Sequence, residues 1–204
     1  MDKKVIITIG RQFGSGGHEI GEKLAKKLGI KFYDKELLKL IAKESGLCEK
    51  VLESYDEKPT NSLLYSIVMD VYPSALYSGP TIDQQIYQAT YDSIRRLSGE
   101  SCVIVGRCAD YILRDCPGLV SIFVHAGSDF RAARVMDEYH LSDAKARDMM
   151  VKTDKKRASY YNFQSEKKWG MAASYNLCIE SSELGIDGSV DFIMDYIKYK
   201  NQKY

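Results

Sequence analysis

Strand-like and helix-like segments alternate along the chain, and this order predicts an α/β layered domain. The first, third and fourth strand-like runs are continuously apolar rather than alternating. That is the pattern of a parallel sheet covered by helices on both faces. A β-branched run near the start, Val5–Ile9, leads into Gly14-Ser15-Gly16-Gly17 and then into a helix, the layout of a strand feeding a phosphate-binding turn.

The strand-like runs are Lys4–Ile9, Ile30–Tyr33, Cys102–Val105, Val120–His125 and Leu177–Glu180. Helical spacing of apolar residues is present over Glu19–Leu28, Lys35–Gly46, Gln84–Leu97, Phe130–Tyr139, Asp143–Tyr161 and Ser189–Lys198. Ser128 and Ser142 each precede an acidic residue, so each is expected to offer an N-cap oxygen. The stretch Ser54–Pro80 holds three of the four prolines and many tyrosines. It breaks the α/β rhythm and reads as an insertion with short helices.

At 204 residues the chain is long enough for one domain with a sizeable core. It is 45% hydrophobic and 28% charged, with a formal net charge of +1, so non-specific attraction to nucleic acid is not expected. Lysine and arginine concentrate over Lys152–Lys168, a density that suits a small polyanion. No apolar run approaches the roughly 20 residues that span a bilayer, and Met1-Asp2-Lys3-Lys4 lacks the apolar stretch of a signal peptide. The five cysteines form no C-x-x-C pair and read as reduced thiols of a cytoplasmic protein. No metal-ligating set is assigned.

The glycine cluster carries the chemistry. Backbone N–H groups of a glycine-rich turn, with the helix N-terminus behind them, hold a phosphate without any side chain. A plain tight turn is the alternative, although three glycines in four residues exceed what a turn requires. A dinucleotide fingerprint fits the spacing poorly. The usual phosphate-loop formula places Lys after the second Gly, where this chain has Gly17 followed by His18 and Glu19.

Other candidates follow the strands. Val105-Gly106-Arg107 brings a guanidinium to the carboxyl edge of the sheet, where α/β proteins bind ligands and where Arg can grip a phosphate by two bonds. Arg107 has a second reading as a structural partner of Asp110 or Asp115. In the basic helix, Asp154 and Arg157 share a face, as do Arg157 and Tyr161. A solvated helix and a cationic flap closing on a phosphoryl group both fit it. Asp34 sits at the ligand edge of the second strand and also suits the cap of the following helix. Arg131 and Arg134, one turn apart after the fourth strand, suit either a cleft-facing or a surface position, with the surface reading favoured for Arg131, and His125 reads as a packed imidazole. Trp169 reads as core more readily than as a base-stacking platform.

Ile9–Ile20, Phe32-Tyr33-Asp34, Gly106–Tyr111, Lys152–Tyr161 and Tyr175-Asn176-Leu177 together resemble the cytidylate kinase-like family, among the P-loop nucleoside monophosphate kinases. The resemblance implies a single domain over 1–204 with a three-layer α/β/α P-loop fold and a five-stranded parallel sheet. It implies a helical monophosphate-binding insertion at about 47–83 and a lid at about 150–170. It implies transfer of the γ-phosphoryl of ATP, with Mg2+, to CMP, dCMP or a related acceptor. By matching motif, Gly14, Ser15, Gly16, Gly17, His18 and Glu19 would hold ATP, while Asp34, Arg107 and Asp110 would face the acceptor. Arg107, Asp154 and Arg157 would act on the transferring group. The expected partners are small nucleotides, not nucleic acid or membrane.

Two departures from that family stand out. True cytidylate kinases carry an acid about where this chain has Asn176. The loop Lys and the magnesium-ligating Ser or Thr are also absent, and a lost donor of that kind is worth about 3–4 kcal/mol in a water-poor site. Arg11, or Lys155 from the lid, is the expected substitute cation; without one, the chain would be a nucleotide-binding module with little or no turnover.

Overall fold

The computed structural model describes residues 4–34 and 82–203. Cys48, the helix expected at Lys35–Gly46, and all but the last two residues of the insertion expected at about 47–83 lie outside the described residues. The described strands are β1 (Ile6–Arg11), β2 (Lys31–Tyr33), β3 (Cys102–Val105), β4 (Leu119–His125) and β5 (Leu177–Glu180). The helices are α1 (Gly17–Leu28), α2 (Ile82–Leu97), α3 (Ala109–Ile112), α4 (Ser128–Tyr139), α5 (Asp143–Gln164) and α6 (Ser181–Lys203). A single 3-10 turn, Ala172–Ser174, precedes β5.

The five strands form one parallel sheet in the order β2-β3-β1-β4-β5. β1 is central, with Ile6 opposite both Cys102 and Leu119. Its side chains divide by the two-residue period of a strand. Val5, Ile7 and Ile9 face one layer with Ile20 and Leu24 of α1 and with Val190, Ile193 and Ile197 of α6. Ile6 faces the other layer with Ile94 of α2, Ile104 of β3 and Ile112 of α3. Both layers are buried, which explains why this strand is apolar at nearly every position. α4 and α5 pack on each other through Ala132, Val135, Ala146 and Met150.

Two caps differ from expectation. α4 begins at Ser128 itself, with Gly127 as its cap, because the Ser128 hydroxyl accepts a hydrogen bond from Arg147 Nη1 at 3.0 Å. Ser142 occupies the cap of α5 in an extended conformation, but its hydroxyl makes no capping bond. The helix read as Ser189–Lys198 starts earlier, at Ser181, and bends at Gly185, whose φ of 67° and ψ of 175° are not helical. α3 has only four residues and lacks a readable period.

Candidate active site

β1 runs two residues further than its apolar stretch. Gly10 and Arg11 stay in register with Phe123 and Val124 of β4, so Arg11 leaves the sheet edge as the last strand residue. Gln12 then bonds back to β4, its N–H donating to Val124 O at 3.0 Å and its Oε1 accepting from Ala126 N at 3.2 Å. Gly14 and Gly16 both take a left-handed φ of 77°, which side-chain-bearing residues adopt only with strain. Ser15 is fully buried and closes the loop from behind. Its hydroxyl donates to Gln12 O at 2.8 Å, and its carbonyl accepts from Ser181 Oγ at 2.6 Å. Gly16 caps α1 without any side-chain hydrogen bond. The first-turn N–H groups therefore face the cleft as an anion cradle, backed by the helix dipole.

The outer side of the loop is clamped by α5. Asp154 Oδ1 accepts from Phe13 N at 2.7 Å, and its Oδ2 lies 2.6 Å from Arg131 Nη1. The same Arg131 nitrogen reaches Phe13 O at 3.3 Å. Both sides of that pair are largely buried, at 13% and 16% exposure, which corrects the surface reading of Arg131. One turn along α5, Arg157 Nη1 donates to Arg11 O at 3.3 Å and its guanidinium stands 5.5 Å from the centre of the Phe13 ring.

β3 ends in three consecutive left-handed residues, Gly106, Arg107 and Cys108, with φ of 79°, 58° and 53°. For the two non-glycines this costs about 1 kcal/mol or more each, a price that surrounding packing must offset. The turn carries Arg107 to the cleft and starts α3, where Asp110 is buried. Asp110 accepts the Tyr161 hydroxyl at 2.7 Å. Burial raises the Asp110 carboxyl above its usual range, although the Tyr161 hydrogen bond pulls the other way. Burial and the neighbouring Asp110 charge push the phenols of Tyr161 and Tyr175 well above the ordinary tyrosine value. Asp115, the other partner considered for Arg107, lies 3.8 Å from Arg114.

These elements enclose a cleft of about 530 Å3 at the carboxyl edge of the sheet, as expected for an α/β ligand site. The loop and the start of α1 contribute Gly14, Gly16, Gly17, His18 and Glu19, and α4 contributes Arg134. The turn after β3 and the aromatic residues contribute Arg107, Asp110, Tyr161, Trp169 and Tyr175, with Arg11 and Arg157 also on the wall. Arg134 Nη2 pairs with Glu19 Oε2 at 2.9 Å. Partial burial raises the Glu19 carboxyl, but hydrogen bonds from Arg134 and Lys23 outweigh it and hold the group below the usual range. His18 Nε2 lies 3.1 Å from Asp34 Oδ2, and its ring meets Phe32 edge-on. Thr8 Oγ1 is buried on this wall without a hydrogen-bond partner.

Of the residues singled out from sequence, Arg11, Gly14, Gly16, Gly17, His18, Glu19, Asp34, Arg107, Asp110 and Arg157 line the cleft together. Ser15 and Asp154 stand behind its wall, on the far side of the loop. Lys155 is exposed and away from the cleft, so of the two expected substitute cations only Arg11 is on the wall. Asn176 bridges β4 and β5, its Oδ1 accepting from Ser121 N at 3.0 Å. Trp169 is half-buried, edge-on to Phe123 at 5.1 Å, and still reaches the cleft. Sequence reasoning left Arg134 undecided and missed Gln12 and Glu138. Helical spacing places Arg134 and Glu138 on one face of α4, but only packing shows which way that face points.

A crystal structure of an uncharacterized protein from Eubacterium ventriosum ATCC 27560 is 34% identical, with a TM-score of 0.73 over 96% of this chain and 99% of that one. Shikimate kinase from Bacteroides thetaiotaomicron is 16% identical, with a TM-score of 0.53, 95% of this chain and 98% of that chain being covered. Shikimate kinase from Acinetobacter baumannii, in complex with shikimate, is 12% identical with the same TM-score, covering 98% of this chain and 96% of that one. At those identities the likeness is one of fold, the three-layer fold of P-loop kinases. No curated protein matches the chain. The model of the cytidylate kinase-like family matches residues 6–183, most of the sequence, and the chain belongs to that family.

Proposed function

We propose that this protein is an ATP-dependent phosphotransferase of the cytoplasm, passing the γ-phosphoryl group to CMP, dCMP or a related small acceptor. The observation that carries the reading is one cleft lined together by a glycine loop with a helix N-terminus that no side chain caps, by Arg107 and the buried Asp110 carboxyl among aromatic rings, and by Arg11 and Arg157. Phosphoryl transfer asks little covalent help from a protein; it asks for positioning and for cations on the oxygens that gather charge.

In this reading the loop amides hold the β-phosphate. Arg157, fixed by the Arg11 carbonyl and the Phe13 ring, reaches the transferring group, and Arg107 holds the acceptor's phosphate. The aromatic rings give a flat base a surface to stack on. Asp154 acts from behind, holding the loop and α5 together.

The donor set on the wall fits magnesium. His18 stands where the family's Ser or Thr would, and Glu19 and Asp34 bring two carboxylates to the same wall. Magnesium is held by one or two carboxylates together with a nucleotide's phosphates, and Glu19 and Asp34 are the carboxylates that would serve. Bound there with ATP, magnesium would neutralise charge on the β- and γ-oxygens.

The test is ADP release with Mg·ATP and a panel of CMP, dCMP, UMP, AMP, shikimate and buffer alone, paired with calorimetric ATP binding. Release that depends on a pyrimidine monophosphate is expected. Release with a non-nucleotide acceptor only would overturn the acceptor assignment. ATP binding without any acceptor-dependent release would make the protein a nucleotide-binding module instead.

A further inference from the structure

We propose that Arg11 is the cation of the phosphate loop, occupying the room that the absent loop lysine leaves; this rests on the phosphotransferase reading above. Arg11 is the last residue of β1, held by its register with Val124 and by the bond from Arg157 to its carbonyl. Its side chain runs along the first residue of α1. A Cβ built on Gly17 falls 2.6 Å from Arg11 Cβ and 3.2 Å from Arg11 Cγ. Further out the guanidinium covers Gly106. A Cβ there overlaps Arg11 Nη1 and lies 3.3 Å from Cζ. The arginine thus spans the cleft from the cradle that would hold the donor to the left-handed turn that carries Arg107.

Gly17 has an ordinary φ, unlike Gly14 and Gly16, so its backbone would accept a side chain. What forbids one is mainly the stem of Arg11, with Val124 Cβ at 3.3 Å. The stem of the last β1 residue thus takes the space that a side chain after the second glycine would need. Arg11 brings a permanent positive charge into the cleft beside the loop, on its Gly106 side. It also replaces a point charge with a planar fork able to bridge two phosphate oxygens.

A purely structural Arg11, packed to hold the end of β1, makes a different prediction from a phosphate ligand. Mg·ATP binding by calorimetry and kcat are to be measured on the full chain for the wild type, Arg11→Met and Arg11→Lys. Thermal melts report folding of each. Arg11→Met is expected to weaken ATP binding at least tenfold and to lower kcat by about 10²–10³-fold. Arg11→Lys is expected to keep part of both. Wild-type affinity in a folded Arg11→Met protein overturns the proposal and leaves the phosphotransferase reading standing. A wild-type chain that binds no nucleotide removes the phosphotransferase reading, and this proposal with it.

Discussion

Asp154 and Arg131 meet at 2.6 Å, and between them they bond both the N–H and the carbonyl of Phe13. The two peptide groups that flank Phe13 in the phosphate loop are thereby tied to α4 and α5 at once. The helix that carries Arg157 and the loop it serves are coupled through a single carboxylate. The pair is not perfectly satisfied, since Arg131 Nε is buried without a partner. Its value lies in geometry more than in energy.

Removing the carboxylate leaves a guanidinium and an amide without their acceptor. Asp154→Ala should destabilise the protein by about 2–4 kcal/mol, read by urea unfolding. A double-mutant cycle with Arg131→Met should show a coupling above about 1 kcal/mol. A coupling near zero would mean the clamp is screened out in solution.

Arg157 should behave differently. It holds a backbone carbonyl and a ring face, both near the surface of the cleft. Arg157→Ala should change stability by about 1 kcal/mol or less while lowering kcat by about 10²–10³-fold. Equal losses in stability and rate would mark it as a structural residue.

The Asp110–Tyr161 bond gives a pH signature. Burial raises the Asp110 carboxyl in the folded state above its unfolded value, so the folded state binds this proton more readily. Stability contributed by the group is then greatest below the unfolded value, near pH 4 for an ordinary carboxyl, and falls as pH rises towards the raised folded value. Asp110→Asn removes that dependence, so the melting temperature of the variant should gain on wild type as pH rises through this window. A difference that is flat with pH would refute it. Tyr161→Phe, which strips a buried carboxylate of its donor, should cost about 1.5–3 kcal/mol at neutral pH.

Gly185 offers a measurement of backbone strain alone. Its φ of 67° and ψ of 175° belong to a region open to glycine, and a Cβ there meets nothing within 4 Å. Gly185→Ala should therefore cost about 1–3 kcal/mol with no steric contribution. The next residue, Ile186, packs onto Gly16 so closely that a Cβ at that glycine would overlap its Cδ1. The variant should accordingly weaken ATP binding as well, seen by calorimetry.

Much of the fold was readable because its signals are local. A strand covered on both faces has to be apolar throughout, and β3 and β5 were read with their observed ends. Ser128 misled because the expected cap oxygen is taken by Arg147, a residue of the next helix. The first strand was read as ending at Ile9, yet β1 runs on to Arg11 because Gly10 and Arg11 pair with Phe123 and Val124. Nothing near Arg131 in the chain distinguishes it from an exposed helical arginine; its partner Asp154 is on another helix.

On its own, then, the order of residues determined the alternation of strand and helix and the glycine cradle at the head of α1, because periodicity and permitted dihedrals act over a few residues. Which cations reach that cradle, and which acid holds it in place, was decided only when segments as distant as Phe13 and Asp154, 141 residues apart, came within bonding distance.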